Sequence, residues 1–107
     1  MIDEELREII QETVKEVLRQ RQVDFADYPT ILRRIDNEMY LFFRGVNNKG
    51  IEKALRKLAS DPYIDIILLQ YRDGVSMANI AECMEKDIST IKRQKKRLIQ
   101  IIYSYLE

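Results

Sequence analysis

Apolar residues recur at intervals of three and four along nearly the whole chain, and no stretch alternates as a half-buried strand would. That periodicity confines the expected fold to an all-α arrangement of about six helices. A helical N-terminal module (1–60) precedes a helix-turn-helix unit (61–107), together one compact domain. The first helix runs from Asp3 to about Gln22. Leu6, Ile9, Ile10, Val14, Val17 and Leu18 share one face, and Glu5, Glu8, Glu12, Lys15, Glu16 and Arg19 the other. Asp3 is placed to cap it, and Arg19 and Arg21 sit where the helix dipole favours cations. A second helix opens at Asp27-Tyr28-Pro29 and continues through Ile31, Ile35, Met39 and Phe43 to a stop at Gly45. Asn47 to Gly50 predicts a loop, and Ile51, Ala54, Leu55 and Leu58 a short helix ending near Ser60. Asp61-Pro62 then opens a helix through Tyr71 that is apolar nearly all round, so it is expected to be the most buried element. After Asp73-Gly74, Ser76 caps a short helix to Met84. Past the charged turn Glu85-Lys86-Asp87, a last helix runs from about Ile88 nearly to the C-terminus.

What is missing narrows the chemistry. There is no histidine and one cysteine, Cys83. The commonest neutral-pH general base is therefore absent, and so are Ser-His and Cys-His pairs. A structural zinc site lacks its usual ligands, and one cysteine cannot close an intrachain disulfide, which suits a reducing compartment. The acidic stretch Met1 to Glu8 does not read as a signal or transit peptide. The longest apolar run, Ile64 to Leu69, is interrupted by Asp65 and falls far short of the ~18 residues of a membrane span. Gly45 to Gly50 has the glycine spacing of a phosphate loop, but Ile51-Glu52 stands where Lys-Ser/Thr belongs. The expectation is a soluble, cytoplasmic binding protein, not an enzyme, with no cofactor or metal. Cys83 reads as a small semi-buried side chain, and Tyr40, Phe42 and Phe43 as core. The apolar width of residues 39–43 exceeds one stripe, so the first two helices also offer a self-association surface, a dimer being favoured.

The chain holds 18 basic and 18 acidic residues, yet they are unevenly placed. Residues 1–40 carry ten acids against six bases, whereas residues 86–107 carry six bases against Asp87 and Glu107. Such asymmetry points to a polyanion-binding end. On the last helix Ile91, Leu98, Ile102 and Tyr105 form an inward stripe. Ser89, Arg93, Lys96, Arg97 and Gln100 lie opposite, with Thr90 and Lys92 on the flanks. Short helix, tight turn and longer basic helix together match a helix-turn-helix, whose second helix enters the major groove of DNA.

Tyr71-Arg72-Asp73-Gly74-Val75-Ser76, then Ile80-Ala81-Glu82, Met84 and Thr90-Ile91-Lys92, resemble the helix-turn-helix of sigma-70 region 4. The likeness covers about residues 62–106 and extends to small phage-encoded regulators of the late-activator type (the RinA and ArpU kind). It departs at the turn, where Glu85-Lys86-Asp87 replaces a Gly-apolar-Ser pattern. The chain has no room for a region that reads a −10 element. What the resemblance implies is sequence-specific binding of double-stranded DNA in transcription control, with RNA polymerase as a further partner. Arg93, Lys96 and Ser89 are the candidates for base edges, and Lys92, Arg97 and Thr90 for phosphates. Ser76 is a cap whose helix end can also face a phosphate. Two other readings share these features. One is a ring-forming DNA-packaging subunit, and the other is a helical adaptor whose basic helix meets an acidic protein.

Overall fold

The structure, a computed structural model, describes residues 27–106. Five α-helices lie within it: α1 (Tyr28–Phe43), α2 (Lys49–Lys57), α3 (Ile64–Ile67), α4 (Met77–Cys83) and α5 (Ile88–Ser104). A π-helical turn, Leu68–Arg72, continues α3, and no strand occurs among the described residues. The helix expected at Asp3 to Gln22, with its share of a self-association surface, lies outside the described residues.

α1 starts behind Asp27 with Pro29 in its first turn, where a missing N–H costs nothing, and it buries Ile31, Ile35 and Met39 along one stripe. It ends at Gly45, whose φ of +100° lets the N–H groups of Gly45 and Val46 donate to Phe42 and Leu41 carbonyls, both at 3.1 Å. The loop expected over Asn47 to Gly50 is shorter than its composition suggests. Asn48 caps α2, its Oδ1 accepting the Ile51 N–H at 3.1 Å, so Lys49 and Gly50 are already helical.

Asp61 does not cap the next helix: its Oδ1 accepts the Tyr63 N–H at 2.9 Å within the preceding turn, and α3 begins only at Ile64, with Tyr63 at its cap position and no side-chain capping bond. That segment is not the most buried element. Only Ile66 and Ile67 are fully enclosed, while α5 buries Ile91, Leu98, Ile99 and Ile102. The cause is the π turn: the Asp73 N–H donates to the Leu68 carbonyl five residues back. This widened circuit leaves Leu68, Leu69, Gln70 and Tyr71 half-buried, packed against α1 and α4.

The core forms two clusters. The larger joins Ile31, Ile35 and Met39 of α1 and Ile51 and Ala54 of α2 to Leu58, Ile67, and Leu98, Ile99 and Ile102 of α5. It thus draws on residues from both sides of position 60. The smaller holds Ile66, Ile80, Ala81 and Ile91. Each enclosed isoleucine contributes about 1.5–3 kcal/mol through removal from water, so α5, which enters both clusters, is the element the rest is built around. Ile99 joins the inward stripe expected for that helix, and Tyr105 is only half-buried. Two other expectations change: Tyr40 is 52% exposed rather than core, and Cys83 is exposed rather than semi-buried. Phe42 and Phe43 are half-buried and meet edge to face at 5.2 Å.

Candidate nucleic-acid interface

α4 and α5 meet through Ile80, Ala81 and Ile91, with Ile66 of α3 behind them. Ser76 opens α4 as expected, its Oγ accepting the Asn79 N–H at 3.2 Å. The turn to α5 depends on Glu85, which adopts a φ of +55°. The Glu85 N–H donates to the Glu82 carbonyl at 3.2 Å and the Lys86 N–H to the Ala81 carbonyl at 3.0 Å. These are the paired bonds of a helix end usually built on glycine. The turn therefore forms without glycine, at the cost of holding an L-residue in the left-handed region. Asp87 occupies the cap position of α5, but its side chain makes no capping hydrogen bond.

The seven residues singled out from the sequence do not form one equivalent set. Ser89, Lys92 and Arg93 lie exposed on the first turns of α5, Ser76 is exposed at the start of α4, and Thr90 is half-buried. No ion pair among the described residues engages Lys92 or Arg93. Lys96 is exposed, but its Nζ lies 5.1 Å from the centre of the Tyr28 ring, a cation–π contact that ties it towards α1.

Arg97 is held. Its two Nη atoms donate to both carboxylate oxygens of Asp61 at 2.9 Å, and its Nε donates to Gln94 Oε1 at 2.8 Å. The guanidinium's hydrogen bonds hold the Asp61 carboxyl below its ordinary range, while Asp61 pushes the Arg97 guanidinium further up. Lys95 is half-buried with its Nζ 5.6 Å from the Tyr71 ring centre, and desolvation lowers its pKa. Tyr71 in turn donates its hydroxyl to Asp36 Oδ1.

Sequence reasoning missed these partners. Asp61 carried a visible signal as a cap, but nothing local revealed its second role opposite Arg97. Tyr28 read only as part of a helix opening and Tyr71 as the end of the most buried helix, with no sign that lysines of α5 would lie over their rings.

Between the C-terminal half of α1 and the end of the π turn is an open cleft of about 500 Å³, lined by Asp36, Tyr40, Arg44 and residues 70–74. Among the described residues no cluster of His, Cys, Asp and Glu is placed to hold a metal, and no helix is long and apolar enough to cross a membrane. Comparison of the chain with protein-family models, curated proteins and solved structures returns no match.

Proposed function

We propose that this chain binds double-stranded DNA sequence-specifically to regulate transcription, in the manner of a small phage-type regulator. In this reading α4, the Glu85 turn and α5 act as a helix-turn-helix, with the first turns of α5 in the major groove. The observation that carries it is the state of those turns. Ile91 anchors them from behind, while Ser89, Lys92 and Arg93 face solvent with no acid following Asp87 before the chain's last residue. Arg93 is the residue assigned to a base edge, since a guanidinium can bond guanine through two parallel hydrogen bonds. Lys92, Lys96 and Lys86 would hold phosphates, with Ser89, Thr90 and Ser76 beside them. A single unit reads few base pairs, so two copies on half-sites about one helical turn apart complete the reading.

Salt dependence of duplex binding tests it. With Arg97 engaged by Asp61 and Arg93 on a base edge, Lys86, Lys92 and Lys96 are the three cations left for phosphates, and the expected slope of log K against log salt is about −2.5 to −3. A flat salt response, or undiminished binding in an Arg93→Ala/Lys96→Ala double variant, would sink the proposal.

A further inference from the structure

The basic face of α5 has a continuation on α2. Gly50, in the first turn of α2, lies against the end of α5, where a Cβ would meet the Tyr105 carbonyl oxygen at 2.7 Å. Past the far end of α2, Asp61 holds Arg97 in the middle of α5. The two helices therefore run antiparallel, side by side, with Ile51 and Ala54 in one cluster with Leu98, Ile99 and Ile102. α1 takes the other flank of α5, where Tyr28 and Arg34 meet Lys96 and Tyr103.

This packing decides where the cations of α2 stand. Lys57 follows Gly50 by two helical turns, so it points within about 20° of the direction in which Gly50 faces α5, and Lys53 points about 40° further out. Both are exposed, and no ion pair among the described residues engages either. Arg56, by contrast, donates to Glu52 at 2.9 Å. The helix dipole favours cations in a last turn, which accounts for Arg56 and Lys57 but not for Lys53 in the middle of the helix. Lys57 lies at the end of α2 nearer the exposed first turns of α5.

The spacing suits a duplex. Packed helices have axes about 8–10 Å apart, and the major groove is about 12 Å wide. With α5 in that groove, its neighbour lies over a bordering strand. We propose that Lys53 and Lys57 form a second phosphate-binding surface, which holds the DNA backbone along one edge of the groove that α5 enters. The inference rests on the function proposed above and adds the strand on which the protein is seated. Such contacts fix affinity and register, while base edges are read by Arg93. Together with the three lysines of the helix-turn-helix they bring the neutralised phosphates to five, and the slope of log K against log salt steepens to about −4 to −5.

Fluorescence anisotropy of the full chain on a labelled mixed-sequence duplex, between roughly 50 and 200 mM salt, tests this. Lys53→Gln/Lys57→Gln should flatten the slope by about 2 and weaken binding at least tenfold at about 100 mM salt. Arg33→Gln/Arg44→Gln removes the same charge from exposed positions on α1 and just past its end, and it should leave the slope of the parent. If the lysine pair does not change the slope, or the arginine pair flattens it equally, the second surface is overturned while duplex binding by α5 stands. If the parent does not bind the duplex, or binds it with no response to salt, the function proposed above fails and this inference fails with it.

Discussion

Arg97 of α5 and Asp61 ahead of α3 meet through two parallel 2.9 Å hydrogen bonds across 36 positions of sequence. The pair fixes the middle of α5 against the turn ahead of α3, and the same carboxylate accepts the Tyr63 N–H of that turn. The two roles can be separated. Asp61→Asn keeps an acceptor for the turn and removes the charge. It should cost under about 1 kcal/mol, because the Arg97 side chain is 41% exposed and water screens the pair. Asp61→Ala removes both roles and should cost about 1–2 kcal/mol. Urea melts would distinguish the two. Since the folded-state pKa of Asp61 is depressed, its contribution is present above the unfolded value of about 4 and is lost as pH falls through the folded value.

Glu85 is the second place where stability can be changed predictably. Its φ of +55° suits glycine, and its N–H and that of Lys86 supply the closing bonds. Glu85→Gly should stabilise the protein by about 1 kcal/mol and raise Tm by roughly 4–8 °C. Glu85→Val should lower it. Thermal melts followed by circular dichroism would read both, and a destabilised glycine variant would contradict the strain assigned to this turn.

Gly50 behaves oppositely. Its backbone conformation suits any residue, but a Cβ there would lie 2.7 Å from the Tyr105 carbonyl oxygen and 3.3 Å from Leu106. Alanine would gain about 1 kcal/mol of helix propensity, yet the contact is with backbone at the end of α5, which yields only by shifting. Overpacking of this kind costs about 1–3 kcal/mol, so Gly50→Ala should be destabilising on balance. Denaturant unfolding would measure it.

Tyr71 is held protonated far above the ordinary phenol range, chiefly by burial and then by its hydrogen bond to Asp36. Its raised folded-state pKa gives a contribution to stability that is complete below about pH 10, the unfolded value, and is lost as pH rises beyond it. Spectrophotometric titration should show Tyr71 ionising only with unfolding. Tyr71→Phe should abolish that coupling and cost about 1–2 kcal/mol at neutral pH.

Much of the fold was legible because it depends on local signals. Proline in a first turn at Pro29, Ser76 as a cap and the spacing of Ile91, Leu98 and Ile102 are short-range facts, and each appears where the sequence placed it. The errors came where tertiary contact overrides local preference. Gly50 looked like a loop residue because glycine disfavours helices, whereas here Asn48 caps ahead of it and Tyr105 demands the missing side chain. The candidate site was legible to the same degree. A helical wheel places Ser89 and Arg93 opposite the apolar stripe and Lys92 on its flank, and all three are exposed. It cannot reveal that Asp61 takes Arg97 or that Tyr28 draws Lys96 aside, because those partners come from distant positions.

The π-helical turn has a bearing on how relatives of this chain would be found. It accommodates one residue more per circuit than an α-helix, and the interval from Asp61 to Gly74 is correspondingly longer than an uninterrupted helix would need. A homologue with a regular helix at this point could preserve every core contact and still be one residue shorter. The gap in such an alignment belongs inside the helix at Leu68 to Arg72, not in the loops on either side.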